Sequence, residues 1–167
     1  MIKTRRSVRE FKQDQIPDDE IKFLIDCARY APTGFNTQPW SFLVIKNKDT
    51  MRKISESGKK SMIPLLEPMK DSSQKARDFL VFLKTKGTDM FYNAPVLVII
   101  LGNKSAPTVD FDCSMAAQNM MLAAHSKGTP VAQKRGISSA SHALNRGSVH
   151  MIELSGHQLS RQAIPPE

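Results

Sequence analysis

Arg5, Arg6, Ser7 and Arg9 put three guanidinium groups and a hydroxyl into five consecutive positions near the start of the chain. A guanidinium is a planar fork of donors that matches a phosphate, and it stays charged at any working pH. Ser7 adds a small hydroxyl that can donate to a phosphate or sugar oxygen without crowding it. The run can therefore hold a compact dianion such as a terminal phosphate. The same residues also suit a solvated basic arm, or one that touches nucleic acid, and basic runs are commonly solvated.

A second stretch, Ala31-Pro32-Thr33-Gly34-Phe35-Asn36-Thr37-Gln38-Pro39-Trp40, ends on the single Trp of the chain. Pro32, Gly34, Asn36 and Pro39 are breakers, so a helix must end near Ala31 and cannot restart before Trp40. Thr33, Asn36, Thr37 and Gln38 are short and polar, and can offer donors and acceptors to a heterocycle. Phe35 and Trp40 would be its apolar walls. The plainer reading is a helix-to-strand connection whose Trp packs in the core.

In this order, about one helix apart, the two stretches resemble the FMN-dependent nitroreductase family. A later Ala117-Gln118-Asn119-Met120 run matches the long central helix of that family's dimer interface. The resemblance covers roughly residues 4–128. It implies an α+β fold, a mainly antiparallel sheet surrounded by helices, in a homodimer with FMN at the interface. Arg5, Arg6 and Ser7 would hold phosphate and ribityl oxygens. Arg9 would stabilise the anionic ring edge of the reduced flavin or steer a nicotinamide cofactor's phosphates. Pro32, Thr33, Asn36 and Gln38 would contact the isoalloxazine ring, in relatives often from the neighbouring protomer. The implied activity is an FMN-dependent oxidoreductase that uses NAD(P)H to reduce nitroaromatics, quinones or similar electron-poor acceptors by a ping-pong mechanism. A flavin carries the hydride and electron transfer, so no catalytic acid, base or nucleophile is assigned.

The elements that position these residues follow from patterning. Ile16-Pro17-Asp18-Asp19-Glu20 is a helix start, and Ile21, Leu24, Ile25, Ala28 and Ala31 then form one buried face. Ser41–Ile45 reads as a buried strand. Residues 49–57 suit a polar helix. Pro64 and Pro68 break the next segment, and a helix is expected from about Ser72 to Lys84 with Phe79, Phe82 and Leu83 on its apolar face. The whole segment 58–93 is expected to cover the mouth of the site. Pro95–Leu101, apolar throughout, reads as a central strand covered on both faces. Asp110 and Asp112 open a further helix with Ala117, Met120, Met121 and Ala124 buried, and Lys127 and Gly128 close it.

A chain of 167 residues with 40% hydrophobic and 24% charged content suits one soluble globular domain. The longest apolar run is far too short for a membrane span, and the charged N-terminus is unlike a cleavable leader, so a cytoplasmic protein is expected. Cys27 and Cys113 fit neither a metal spacing nor a disulfide framework, and read as buried inert thiols. The net charge of +8 favours an anionic partner of some kind.

After Gly128 the pattern departs from the family. Pro130 removes a backbone donor where a glycine-rich turn would present amides, aromatic residues vanish, and apolar periodicity weakens. The chain is therefore divided into a nitroreductase-like FMN-binding part, 1–128, and a divergent or frame-altered segment of the same domain, 129–167. In one account Val149–Leu154 is the last strand and Arg161 a late cation; in the other, which is preferred, the reading frame has shifted near Gly128. His142, His150 and His157 make no metal pattern, and no metal is expected; a solvated or incidental role is favoured for them. His125 falls on the last turn of its helix, where a surface role is expected. The alternatives to the enzyme are a flavin binder or degenerate remnant without turnover, and a basic nucleic-acid module. The last is disfavoured because no recognition motif is present.

Overall fold

The structure, a computed structural model, describes residues 1–135 and 148–154. A four-stranded antiparallel sheet is built from β1 (Trp40–Ile45), β2 (Val96–Gly102), β3 (Val131–Arg135) and β4 (Ser148–Leu154), in the order β1-β2-β4-β3. Helices α1 (Asp18–Arg29) and α4 (Val109–Ser126) cover one face, while α2 (Lys48–Leu66) lies on the other with α3 (Gln74–Lys84) packed upon it.

The central position of β2 follows from its unbroken apolar sequence. Val96, Val98 and Ile100 enter the core under α1 and α4, and the alternate residues Leu97 and Ile99 enter a second cluster with Met51, Phe91 and Met151. Period-2 alternation sends successive side chains to opposite faces, so a strand with apolar residues at every position needs cover on both. β1 differs from the expected fully buried strand. It is an edge strand, with Ser41 and Leu43 facing solvent while Trp40, Phe42 and Val44 pack against the larger core.

Residues 148–154 form β4 between β2 and β3, with Ile152 opposite Val98 and Met151 opposite Ile99. One of the two accounts of the tail sets a strand at Val149–Leu154, and a strand lies there. The weak periodicity has a cause: His150 and Glu153, both buried, interrupt the apolar residues. His150 is thus not solvated as expected; β4 buries it toward α4, with Nε2 3.4 Å from the Ser114 hydroxyl oxygen. His142, His157 and Arg161 lie outside the described residues.

Local signals account for the helix ends. Pro17 precedes α1, whose first turn carries Asp18, Asp19 and Glu20 and whose last carries Arg29, complementing the dipole at both ends. The Asn47 side chain caps α2 by accepting from the Thr50 N–H at 2.8 Å. This helix runs through Pro64, which was expected to break it. Pro64 sits in the final turn and forfeits the bond to the carbonyl four residues back, and the chain leaves the helix soon after, at Glu67–Met69. Gly128 ends α4 at φ +75°, with its N–H donating to the His125 carbonyl and the Thr129 N–H to that of Ala124. That left-handed turn aims the chain straight into β3. Among the described residues no helix is long and apolar enough to cross a membrane.

Candidate cofactor site

The two sequence stretches sit at opposite ends of α4. At its C-terminal end, residues 1–6 form a turn in which the Thr4 and Arg5 N–H groups both donate to the Met1 carbonyl. Thr4 Oγ1 lies 2.9 Å from Nε2 of His125, in the last turn of α4, and the Val8 N–H donates to the Val131 carbonyl at the start of β3. Arg5 is half-buried, and its Nη1 is shielded yet has no hydrogen-bond partner among the described residues. Arg6 is exposed, with Nη1 donating to the Lys3 and Arg5 carbonyls at 3.1 Å each. Ser7 and Arg9 are exposed.

At the N-terminal end of α4, the buried Asp112 carboxylate holds the loop. One oxygen accepts from the Gly34 N–H at 3.1 Å and the other from the Thr108 hydroxyl at 2.9 Å. Asp112 was expected only to open the helix; its role as the loop's anchor depends on a contact between residues 78 positions apart, which no local pattern announces. The loop is a short 3-10 turn, Gly34–Asn36, inside a span that was expected to hold no helix. Three of its non-glycine residues have left-handed backbones: Phe35 (φ 54°), Asn36 (φ 53°) and Gln38 (φ 44°). Such conformations cost energy for ordinary side chains and gather at functional sites.

Gln38 Nε2 donates to Asn36 Oδ1 at 3.1 Å, and the Gln38 N–H reaches Thr33 Oγ1 at 3.4 Å. This brings three of the four assigned loop residues together and leaves the Asn36 amide nitrogen as a donor and the Gln38 carbonyl as an acceptor. Pro32 is exposed beside them. Trp40 is not a wall of the loop: it packs against the core beneath α4, so the plainer reading holds for it. Phe35 is 89% exposed and covers nothing within this copy.

The arm meets α4 at His125 and the loop meets it at Asp112, a separation of about 20 Å at 1.5 Å per residue. Between them the outward face of α4 carries exposed Phe111, Ser114 and Gln118 and half-buried Met115 and Leu122. Exposed Tyr30 and Phe35 lie on the segments at its N-terminal end. A groove of about 580 Å³ lies on the opposite face of the sheet, lined by residues that include Gln13, Arg52, Ser55 and Asp89, and none of the eight assigned residues borders it. The segment expected to cover the site packs on that far side too, with α3 against α2 and the Phe79, Phe82 and Tyr92 rings in contact.

Neither thiol takes part. Cys113 is buried, and burial together with the neighbouring Asp112 and Asp110 pushes it up to about 12. Cys27 is half-buried on α1, less enclosed than expected, with its carbonyl accepting from Asn119 Nδ2 at 3.4 Å.

A Methanothermobacter thermautotrophicus protein with the provisional name NADH dehydrogenase/NAD(P)H nitroreductase is 30% identical over 131 residues, covering 76% of this chain and 54% of that protein. An iodotyrosine deiodinase from Thermotoga neapolitana is 28% identical over 131 residues, 77% of this chain and 68% of its own length. The chain thus spans between about half and two thirds of these curated relatives. A nitroreductase from Bacteroides fragilis, solved with bound FMN, superposes with a TM-score of 0.74 over 98% of this chain and 92% of its own, at 24% identity. The family model for nitroreductases matches residues 2–133, and the chain belongs to the nitroreductase family.

Proposed function

We propose that two copies of this chain form a flavin oxidoreductase with FMN held between them. The observation that carries the reading is the placement of arm and loop at opposite ends of one helix. Within a single copy they are anchored about 20 Å apart along that helix. A two-fold axis crossing α4 near its middle would run two such helices antiparallel and bring the loop of one copy beside the arm of the other. The exposed Phe111, with Met115 and Leu122 beside it, is the apolar stripe such a pairing would bury.

The donor set fits the cofactor. Arg5 Nη1 is a shielded cationic donor without a partner among the described residues, which is what a phosphate oxygen would satisfy. Arg6 and Ser7 would complete the phosphate and ribityl contacts. Arg9 would stabilise negative charge at the ring edge or steer nicotinamide phosphates. From the other copy, Asn36 and Gln38 would bond the pyrimidine side of the ring, and Pro32 and Thr33 would line it. When bound, FMN supplies the hydride and electron transfer between NAD(P)H and an acceptor such as a nitroaromatic or quinone, in alternation. The protein's residues bind, orient and bias the charge of that reaction; none is assigned as an acid, base or nucleophile.

Purification is the first test. A yellow protein with flavin absorption that bleaches anaerobically on adding NAD(P)H is the expected result. Yellow protein that does not bleach would identify a binder without turnover. A colourless protein that takes up no added FMN would refute the reading.

A further inference from the structure

We propose that His125 is a positioning residue: it latches the N-terminal arm through Thr4 and so sets the guanidinium cluster against the cofactor phosphate. The proposal rests on the reading that Arg5, Arg6 and Ser7 hold that phosphate.

A threonine hydroxyl has one proton and two lone pairs, so it can serve two partners at once. Thr4 Oγ1 lies 3.0 Å from the Met1 carbonyl, within the turn that the Thr4 and Arg5 N–H groups close on that carbonyl, and 2.9 Å from His125 Nε2. The imidazole nitrogen thus ties the arm to α4 by one hydrogen bond. Thr4 immediately precedes Arg5 in the chain. Arg6 bonds inward to the carbonyls of Lys3 and Arg5, so the turn moves as one body with the first two guanidinium groups.

The latch is anchored on a rigid base. His125 lies in the last turn of α4, and its carbonyl accepts from the Gly128 N–H in the turn that closes the helix. Further along the arm, the Val8 N–H bonds to the Val131 carbonyl. Arg5, Arg6 and Ser7 are strung between these two points. Removing the first lets the segment that carries Arg5 lift away while Val8 stays in place. Affinity for the phosphate end of a ligand should then suffer, with the fold and the ring contacts intact.

Conservative pairs of variants test this. His125→Phe keeps a flat ring and loses the hydrogen-bonding nitrogen, whereas His125→Gln restores a polar amide near the position of Nε2. Thr4→Val and Thr4→Ser form the matching pair on the arm. Trypsin cleavage after Arg5 and Arg6, followed by intact-mass spectrometry without ligand, reads arm opening directly. The Phe and Val variants should be cut roughly two- to tenfold faster than wild type, the range for loss of one hydrogen bond, and the Gln and Ser variants at nearly the wild-type rate. In flavin titrations His125→Phe should weaken FMN by a similar factor and leave riboflavin, which lacks the phosphate, unchanged. Unchanged cleavage in His125→Phe, or equal acceleration in His125→Gln, would overturn the latch. Equal loss of FMN and riboflavin would overturn the positioning role. Should wild type bind neither flavin, the proposed function and the role toward phosphate fall together, and the cleavage rates alone decide whether the latch exists.

Discussion

Replacing Gly34 with alanine would put a methyl group where the fold has no room. A Cβ built on Gly34 would lie 2.2 Å from Thr108 Oγ1, 2.9 Å from its Cγ2 and 3.1 Å from its Cβ. Thr108 is β-branched and cannot swing a flexible tip aside, and its hydroxyl is committed to Asp112 at 2.9 Å. Two escapes exist. Thr108 can be driven off the carboxylate, or the Gly34 N–H can be pulled away from the other carboxylate oxygen, 3.1 Å distant. Either route forfeits one hydrogen bond to a buried acid, about 1.5–3 kcal/mol. Residual overpacking adds about 1 kcal/mol. The sum is about 2.5–4 kcal/mol, which for a chain of this size lowers Tm by roughly 5–16 °C. FMN affinity should fall with it, because Gly34 sets the path of Asn36 and Gln38. Thermal unfolding of Gly34→Ala, Thr108→Ala and the double variant forms the decisive cycle. Thr108→Ala removes the two nearest obstructions, so Gly34→Ala should cost at least about 1 kcal/mol less in that background. Strictly additive effects, or a Gly34→Ala protein as stable as wild type, would refute the steric account.

Arg5→Ala should weaken FMN binding by about 1–3 kcal/mol, the range for a hydrogen bond to a charged group; an unchanged dissociation constant in a flavin titration would remove Arg5 from the phosphate site. Gln118→Arg, at the middle of the exposed face of α4, should place like charges near one another across the two-fold axis and cost about 1–4 kcal/mol of association. Sedimentation should then show a monomer at concentrations where wild type is a dimer, with FMN lost in parallel. Cys113, its thiol pushed up to about 12 by burial and by the acids beside it, should resist iodoacetamide at neutral pH until urea unfolds the chain. Peptide mapping before and after urea checks this, and labelling of the native protein would contradict the packing under α4.

Much of the fold was legible because its signals are local. β2 announces a central strand by having no polar position to turn toward water. The acids and Pro17 ahead of α1, and Lys127-Gly128 after α4, mark ends that the structure places within a residue or two. The errors also have local causes. Pro64 reads as a break because proline lacks the N–H a helix needs, yet α2 continues two residues past it to Leu66. β1 looked buried because Leu43 is apolar, and only strand order makes it an edge residue. β4 was hard to read because His150 and Glu153 are polar side chains buried by the sheet and the layers covering it, which no periodicity of its own reveals.

The sequence by itself determined the chemistry on offer. Guanidinium forks near the start, a breaker-rich polar loop ahead of Trp40 and one amphipathic helix between Asp110 and Lys127 are properties of residue type and spacing. They need no partner to be recognised. Tertiary structure alone decided where these groups sit. It assigned Trp40 to the core, gave Asp112 the loop and His125 the arm, and set the two clusters toward opposite ends of α4, anchored about 20 Å apart. The physical reason is that such contacts join residues 78 and 121 positions apart. A chain encodes them only through the packing of everything between.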